Sequence, residues 1–353
     1  MIISRTPYRI SFFGGGTDYP LWYRKHGGQV LSTTIDKYIY ISCRYLPPFF
    51  EHRVRLVYGK IETCSDVNEI QHPTAREILK MYGISNGVEI HYDGDLPARS
   101  GIGSSSAFSV GLINTIAAHV GTSKSSRELA DEAIHIEQDV LGECVGSQDQ
   151  VNAAYGGLNH ILFRQDGSIH VQGVELSSNR KCQMNDNLML FYTGIMRTAE
   201  TVASSYSTNL EKQASRLEKM NRFVNEAIDI ITGESALSQL GELFHENWME
   251  KRGLSGLVSS SRVDDIYASA RAAGALGGKL TGAGGGGMML LFVPKGRQND
   301  VRKALSRLLY IPFNFSDTGS EIIFRDQQTR YDEAISRPRA LERFVEADEL
   351  EVS

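Results

Sequence analysis

The stretch Leu96-Pro97-Ala98-Arg99-Ser100-Gly101-Ile102-Gly103-Ser104-Ser105-Ser106-Ala107 passes through two glycines, meets three serines and runs into an apolar segment that reaches Val120. Glycines let the backbone turn its N–H groups inward, and a serine at a helix start offers its hydroxyl to the first free amides. A concave row of donors at the positive end of a helix dipole is a site for phosphate. Gly and Ser also dominate loops that only join a strand to a helix, so the stretch alone leaves both readings open. Just upstream, Gly87–Tyr92 reads as a strand, which sets the order strand, Gly/Ser loop, helix.

The rest of the chain narrows the choice. Its 353 residues leave room for two domains, and 41% hydrophobic with 22% charged side chains is an ordinary globular composition. A net charge of −5 without a basic block argues against nucleic acid as a partner. No apolar run reaches membrane-spanning length, and Met1-Ile2-Ile3-Ser4-Arg5 lacks the layout of a secretion signal. Cys43, Cys64, Cys144 and Cys182 are scattered without a CxxC pair, and the nine histidines show no metal-binding spacing. A soluble cytoplasmic protein with reduced thiols, and no membrane contact, is expected.

Along the chain, Arg9–Phe13 reads as a strand leading into Gly14-Gly15-Gly16-Thr17-Asp18-Tyr19-Pro20, and Tyr38–Ser42 and Val54–Tyr58 read as further strands. A helix over Thr74–Tyr82 stops at Gly83. Ser125 and Glu128 form a capping box for a second helix, whose apolar positions Leu129, Ala133, Ile136 and Val140 keep helical spacing up to Gly142. Glu137 borders that stripe, where a carboxylate is costly unless a cation or donors meet it. Ser147 and Gln150 are spaced as another capping box, with Asp149 in the first turn they would open. A second domain begins near Leu188, with helices around Ala199–Ile231, Ser235–Lys251 and Asp264–Ala273, a strand over Met288–Val293, a helix over Asn299–Leu309 and a closing strand over Glu321–Phe324. The end, Arg325–Ser353, is rich in charge. Gly282-Ala283-Gly284-Gly285-Gly286-Gly287 matches GxGxxG literally, but it runs into a strand and not a helix, which rules out a dinucleotide fingerprint. A tract this dense in glycine suits close backbone approach more than an ordinary helix-to-strand turn.

Three glycine-bearing segments therefore stand in order: Arg9 to Tyr19, Pro97 to Ala107, and Lys279-Leu280-Thr281-Gly282 to Gly287. Together they resemble the GHMP family of small-molecule kinases, and the resemblance extends to about Phe324. It implies an α+β two-domain GHMP kinase fold, ribosomal-protein-S5-domain-2-like at the N-terminus and ferredoxin-like at the C-terminus. The expected division is 1–185, 186–330 and a charged tail over 331–353. The run Pro7-Tyr8-Arg9-Ile10-Ser11-Phe12-Phe13-Gly14-Gly15-Gly16-Thr17-Asp18-Tyr19-Pro20 is similar to the heptose 7-phosphate kinases within that family, as are Phe191-Tyr192-Thr193-Gly194 with Arg197, and Asn247-Trp248 with Lys251-Arg252.

The resemblance implies ATP cradled by Pro97, Arg99, Ser100, Gly101, Ile102, Gly103, Ser104, Ser105 and Ser106. It implies Mg²⁺ held by Ser105 and Glu137, with Ser104 as the neighbouring option in the triple serine. Asp149 falls at the family's catalytic aspartate, as general base toward a sugar hydroxyl, and Arg9 at the arginine that keeps it ionised. Asp18 would accept hydrogen bonds from the sugar, Gly14, Gly15 and Gly16 would give it room, and Thr281 and Gly282 would close the site from the second domain. For a distal phosphate the cationic candidates are Arg24, Lys25, Arg197, Lys251, Arg252 and Lys279, with Arg197 and Lys279 beside segments already placed at the site. The implied reaction is transfer of the ATP γ-phosphate to the anomeric O1 of a heptose 7-phosphate. Another sugar, such as fucose, a non-catalytic sugar sensor, and a lyase variant are the rivals. Monomer and homodimer both stay open.

Overall fold

The computed structural model describes residues 1–47, 49–195, 202, 205 and 210–326. Strand β1 (Ile2–Phe13) and the long β2 (Gly28–Tyr45) pair antiparallel over nearly the whole length of β1, joined by the glycine segment and α1 (Pro20–His26). β2 is the axis of a nine-stranded sheet. Its second half pairs with β5 (Val88–Gly94), which carries β3 (Val54–Val57) and β4 (Ile61–Cys64) outward; its first half pairs with β6 (Leu158–Phe163), followed by β7 (Ile169–Gly173). Helix α2 (Pro73–Met81) precedes β5 and ends where the sequence pattern places it, near Gly83.

Helix α3 (Ser104–His119) is the centre of this half. It is buried continuously from Ser106 to Ala118, as expected of a helix that is apolar all round. The sheet covers one side of it, and α4 (Ser126–Ile134) and α5 (Gln148–Tyr155) cover another. The capping box of α4 forms as read: Ser125 accepts from the Glu128 amide, and Glu128 accepts from the Ser125 amide at 2.8 Å. The stripe beyond it does not stay α-helical to Gly142. From His135 to Val140 the backbone widens into a π turn, which carries Glu137; such turns concentrate at functional sites.

A second layer follows α6 (Ser178–Asp186). Strand β8 (Leu188–Tyr192), helices α7 (Ala214–Thr232), α8 (Ser238–Arg252) and α9 (Ser261–Ala272), then β9 (Gly277–Leu280), β10 (Met288–Phe292), α10 (Gln298–Ala304) and β11 (Leu309–Ile311) build a four-stranded antiparallel sheet in the order β11-β8-β10-β9. Two expectations change here. The glycine tract joins β9 to β10 as a hairpin, and not a helix to a strand, because Gly277–Leu280 is itself an extended, fully buried strand. The helix expected over Asn299–Leu309 stops at Ala304, and Leu309 opens a strand beside β8. The chain then returns to the first sheet, where β12 (Phe315–Ser316) pairs with β2 and β13 (Glu321–Arg325) with β1. The helical stretch expected from Ala199 lies outside the described residues as far as 209, apart from two positions, and so does the charged end beyond 326.

Candidate active site

The loop between β5 and α3 has three left-handed turns, at Arg99 (φ 60°), Gly101 (φ 77°) and Gly103 (φ 74°), the last standing at the start of α3. The Ser100 hydroxyl donates to the Pro97 carbonyl at 2.7 Å, and the Arg99 amide donates to Ser104 Oγ at 3.1 Å. Gly101 lies against the second layer: a Cβ there would sit 2.7 Å from the Thr281 carbonyl oxygen, and one at Gly282 would sit 2.7 Å from the Gly101 Cα. The Met288 amide donates to Ser100 O at 3.1 Å, and Thr281 is fully buried. The dense glycine of both segments thus has a shared cause, which is backbone packed on backbone with no space for side chains.

Arg9, on β1, passes under this loop. It donates to Gly101 O at 2.8 Å through Nη1 and receives the Ile102 carbonyl on its own amide at 3.1 Å. Its Nε and Nη2 grip both oxygens of Asp149, at 2.8 and 2.6 Å. Arg9 is 3% exposed, so this bidentate pair is held from the protein interior, while Asp149, in the first turn of α5, keeps a quarter of its side chain open. Gly103 fits between them: a Cβ there would lie 3.4 Å from Asp149 Oδ2. The candidate base therefore stands directly beside the helix start that offers free amides.

Asp18 completes the group from the other side. It accepts from the Gly16 amide and from Gln148 Nε2, each at 2.9 Å, and it is 1% exposed. Burial pushes its carboxyl above the ordinary range, and the negative charge of Asp149 pushes the same way. Gly146 makes room for it, since a Cβ at 146 would meet Asp18 Oδ2 at 2.0 Å. Of the three glycines before Asp18, Gly14 packs its Cα face on the Gln29 carbonyl, Gly16 supplies the amide, and Gly15 faces Ser11 and Gln148, which a Cβ there would meet in ordinary contact at 3.5 and 3.6 Å.

Glu137 is 1% exposed and meets only neutral donors: Ser109 Oγ at 2.6 Å, Ser106 Oγ at 2.9 Å and Gln150 Nε2 at 2.5 Å. Burial dominates and pushes its pKa up to about 7. Two readings of the sequence shift here. Gln150 does not cap Ser147; it turns to Glu137, and the Ser147 hydroxyl accepts from Gln138 instead. Ser106, and not Ser105, is the serine in contact with Glu137, because the first turn of α3 carries Ser105 to the exposed side.

The cations also rearrange. Lys279, expected at the substrate, is 1% exposed and donates to the carbonyls of Ser11 (2.7 Å) and Phe12 (3.0 Å), so it ties β9 to β1. Burial pushes its pKa well down, and Lys251 and Arg9 nearby add to that. Lys251, at the end of α8, donates to the carbonyls of Leu280 and Gly282. Burial, then Arg9, lowers it to about 8, opposed by Asp18 and Asp149, so it belongs to the same charge group as the two aspartates. Lys25 pairs with Glu211 and Arg252 with Asp264, away from this group, while Arg24 is exposed. Arg197 lies outside the described residues. The sequence offered no spacing that singles out Lys251 from its neighbours; only the approach of α8 to β9 does so.

A glycine-turned helix start beside an aspartate locked to an arginine, with the second layer packed on the loop, suits a phosphotransferase acting on a hydroxyl group. Residues 68–157 match the GHMP kinases N terminal domain and residues 208–311 the GHMP kinases C terminal domain, together more than half of the 353 residues. The chain belongs to the GHMP kinases, and its two-layer α+β fold is theirs. It is 29% identical to D-glycero-alpha-D-manno-heptose 7-phosphate kinase of Campylobacter jejuni, over 87% of this chain and 93% of that protein. It is 30% identical to mevalonate kinase of Pyrococcus furiosus over 70% of this chain and 71% of that one. The crystal structure of a D-glycero-D-manno-heptose 1-phosphate kinase from Bacteroides thetaiotaomicron shares the fold, with a TM-score of 0.76 at 21% identity, covering 93% of this chain and 100% of that one. Among the described residues no helix is long and apolar enough to cross a membrane.

Proposed function

We propose that the chain transfers the γ-phosphate of ATP to the anomeric O1 of D-glycero-D-manno-heptose 7-phosphate, giving the 1,7-bisphosphate in the cytoplasm. One observation carries the chemistry: Asp149 is bound through both oxygens to buried Arg9 and lies 3.4 Å from the Cβ position of Gly103, where α3 begins. A base fixed beside the phosphate cradle is what an in-line transfer to a hydroxyl requires. Asp149 takes the proton of the O1 hydroxyl as O1 bonds to the γ-phosphorus. The bond from that phosphorus to the β,γ-bridging oxygen breaks, and ADP leaves. An anomeric hydroxyl is more acidic than an ordinary alcohol, so a carboxylate is an adequate base. Arg9 fixes both oxygens of Asp149 and adds positive charge where negative charge accumulates. The free amides at the start of α3 receive phosphate oxygens.

The residues present fit a magnesium ion. Glu137 is a buried carboxylate pushed up to about 7 with no cation beside it, and Gln150, which donates to it, has its own Oε1 buried without a donor. All the groups are hard oxygens. Glu137 and Ser106, in the first turn of α3, would hold the ion. Bound there, it neutralises charge on the nucleotide phosphates.

The choice of acceptor rests on similarity to the C. jejuni heptose 7-phosphate kinase over most of both chains. Release of ADP with ATP and Mg²⁺ tests it across D-glycero-D-manno-heptose 7-phosphate, D-sedoheptulose 7-phosphate, mannose, fucose and galactose. Preference for the heptose phosphate is expected; preference for fucose or galactose would keep the kinase and replace the acceptor.

A further inference from the structure

We propose that Asn247, on α8, is an acceptor-recognition residue whose carboxamide pairs with two neighbouring hydroxyls of the sugar from the second layer. This rests on the reading of the chain as a sugar kinase. Asn247 is fully buried, yet neither its Nδ2 nor its Oδ1 has a hydrogen-bond partner. A buried amide is ordinarily paired on both atoms, and this one is paired on neither.

Its place on α8 is set by its neighbours. Phe244, three residues earlier, stacks on Phe13 with ring centroids 4.6 Å apart and meets Phe12 edge-on. Lys251, four residues later, donates to Gly282 O and shares the charge environment of Arg9, Asp18 and Asp149. Residues three and four apart lie on one helix face, which puts Asn247 between Phe244, packed on β1, and Lys251, packed on the loop after β9. On β1, Ser11 stands beside the glycine segment, its Oγ 3.5 Å from the Cβ position of Gly15. Its hydroxyl oxygen is also buried without a partner. Beyond Ser11, across the bare Gly15, Gln148 donates Nε2 to Asp18 and leaves its Oε1 buried and unpaired. Unpaired polar atoms thus stand on Ser11 and Gln148, either side of Gly15, and on Asn247 of α8.

The chemistry of this set selects the ligand class. Asn247 and Gln148 present unpaired carbonyl acceptors, Asn247 an unpaired N–H donor, and Ser11 a hydroxyl that does either. An anionic group would use only donors and leave the amide oxygens bare, and an alkyl chain would use neither. Adjacent hydroxyls of a sugar donate and accept at once, which matches a carboxamide atom for atom.

Asn247→Leu keeps the side-chain outline and removes both unpaired atoms, and its thermal midpoint without sugar is expected to equal or exceed that of the wild type. The KM for D-glycero-D-manno-heptose 7-phosphate is expected to rise more than about tenfold, with the KM for ATP unchanged. In parallel, thermal shifts of both proteins are read with heptose 7-phosphate, mannose, fucose and galactose. At least one should stabilise the wild type and none the variant. Asn247→Ser, smaller and polar, repeats the kinetics if the Leu variant is insoluble. An unchanged acceptor KM, a sugar shift retained by the variant, or a wild type stabilised by none of these sugars would overturn the inference. A shift that comes from fucose or galactose and is lost in the variant would displace heptose as the acceptor and leave Asn247 in its role.

Discussion

Two carboxylates on adjacent elements of the first layer are treated in opposite ways. Asp149, on α5, has its charge met by the protein itself, both oxygens gripped by Arg9 at 2.6 and 2.8 Å. Glu137, on the π turn just before it in the chain, is buried more deeply and receives only two hydroxyls and an amide. A carboxylate gripped through both oxygens by a guanidinium has its charge met within the protein. One surrounded by neutral donors is pushed up to about 7 by burial. The difference matches the roles proposed for them, proton transfer for Asp149 and a metal ion for Glu137.

The largest effect expected from this contrast is on the Asp149 side. Asp149→Asn preserves the shape and removes the base, so kcat should fall by about a thousandfold while ATP binding persists. Near-normal turnover would remove Asp149 from that role and erase the contrast. On the Glu137 side, stability is the sharper probe. Its folded pKa of about 7 lies above the ordinary 4.5, so the folded protein binds the extra proton. The stabilisation is complete below pH 4.5 and is lost as pH rises through about 7, by up to about 3 kcal/mol in the protein without metal. Chemical denaturation between pH 4.5 and 7.5 should show that fall in the wild type and a flatter profile in Glu137→Gln. Equal profiles would mean that Glu137 is not the buried group described. Smaller again, Glu137→Gln should raise the Mg²⁺ concentration for half-maximal activity more than about tenfold, equivalent to about 1.4 kcal/mol. An unchanged Mg²⁺ titration would sink the ligand role and leave the two carboxylates distinguished only by their partners.

How far the sequence reveals this depends on whether the signal is local. The glycine turn into α3 and the Ser125–Glu128 capping box are encoded within a few residues and are found where the pattern places them. Arg9 and Asp149 lie 140 residues apart, and they become a pair only through resemblance to a family, which no spacing replaces. Competition between partners hides other features. Ser147 and Gln150 have capping-box spacing, but Gln150 is drawn to the buried Glu137, where a neutral donor relieves a larger penalty than a helix end does. Gly277-Gly278-Lys279-Leu280 has poor strand propensity and becomes a strand because β10 and the carbonyls of β1 hold it. Lys279 reads as a cation for the substrate, with nothing nearby in sequence to reveal its burial against the carbonyls of β1. Lys251 joins the charge group through the docking of α8 on β9, a tertiary contact that no local spacing marks.

The most direct test of anomeric transfer is ³¹P NMR of the product formed from ATP and D-glycero-D-manno-heptose 7-phosphate with Mg²⁺. The expected result is one new phosphate ester per ADP, coupled to the anomeric proton, with the reducing end consumed and the 7-phosphate retained. A new phosphate on any other oxygen, or ADP release that leaves the heptose unchanged, would contradict it.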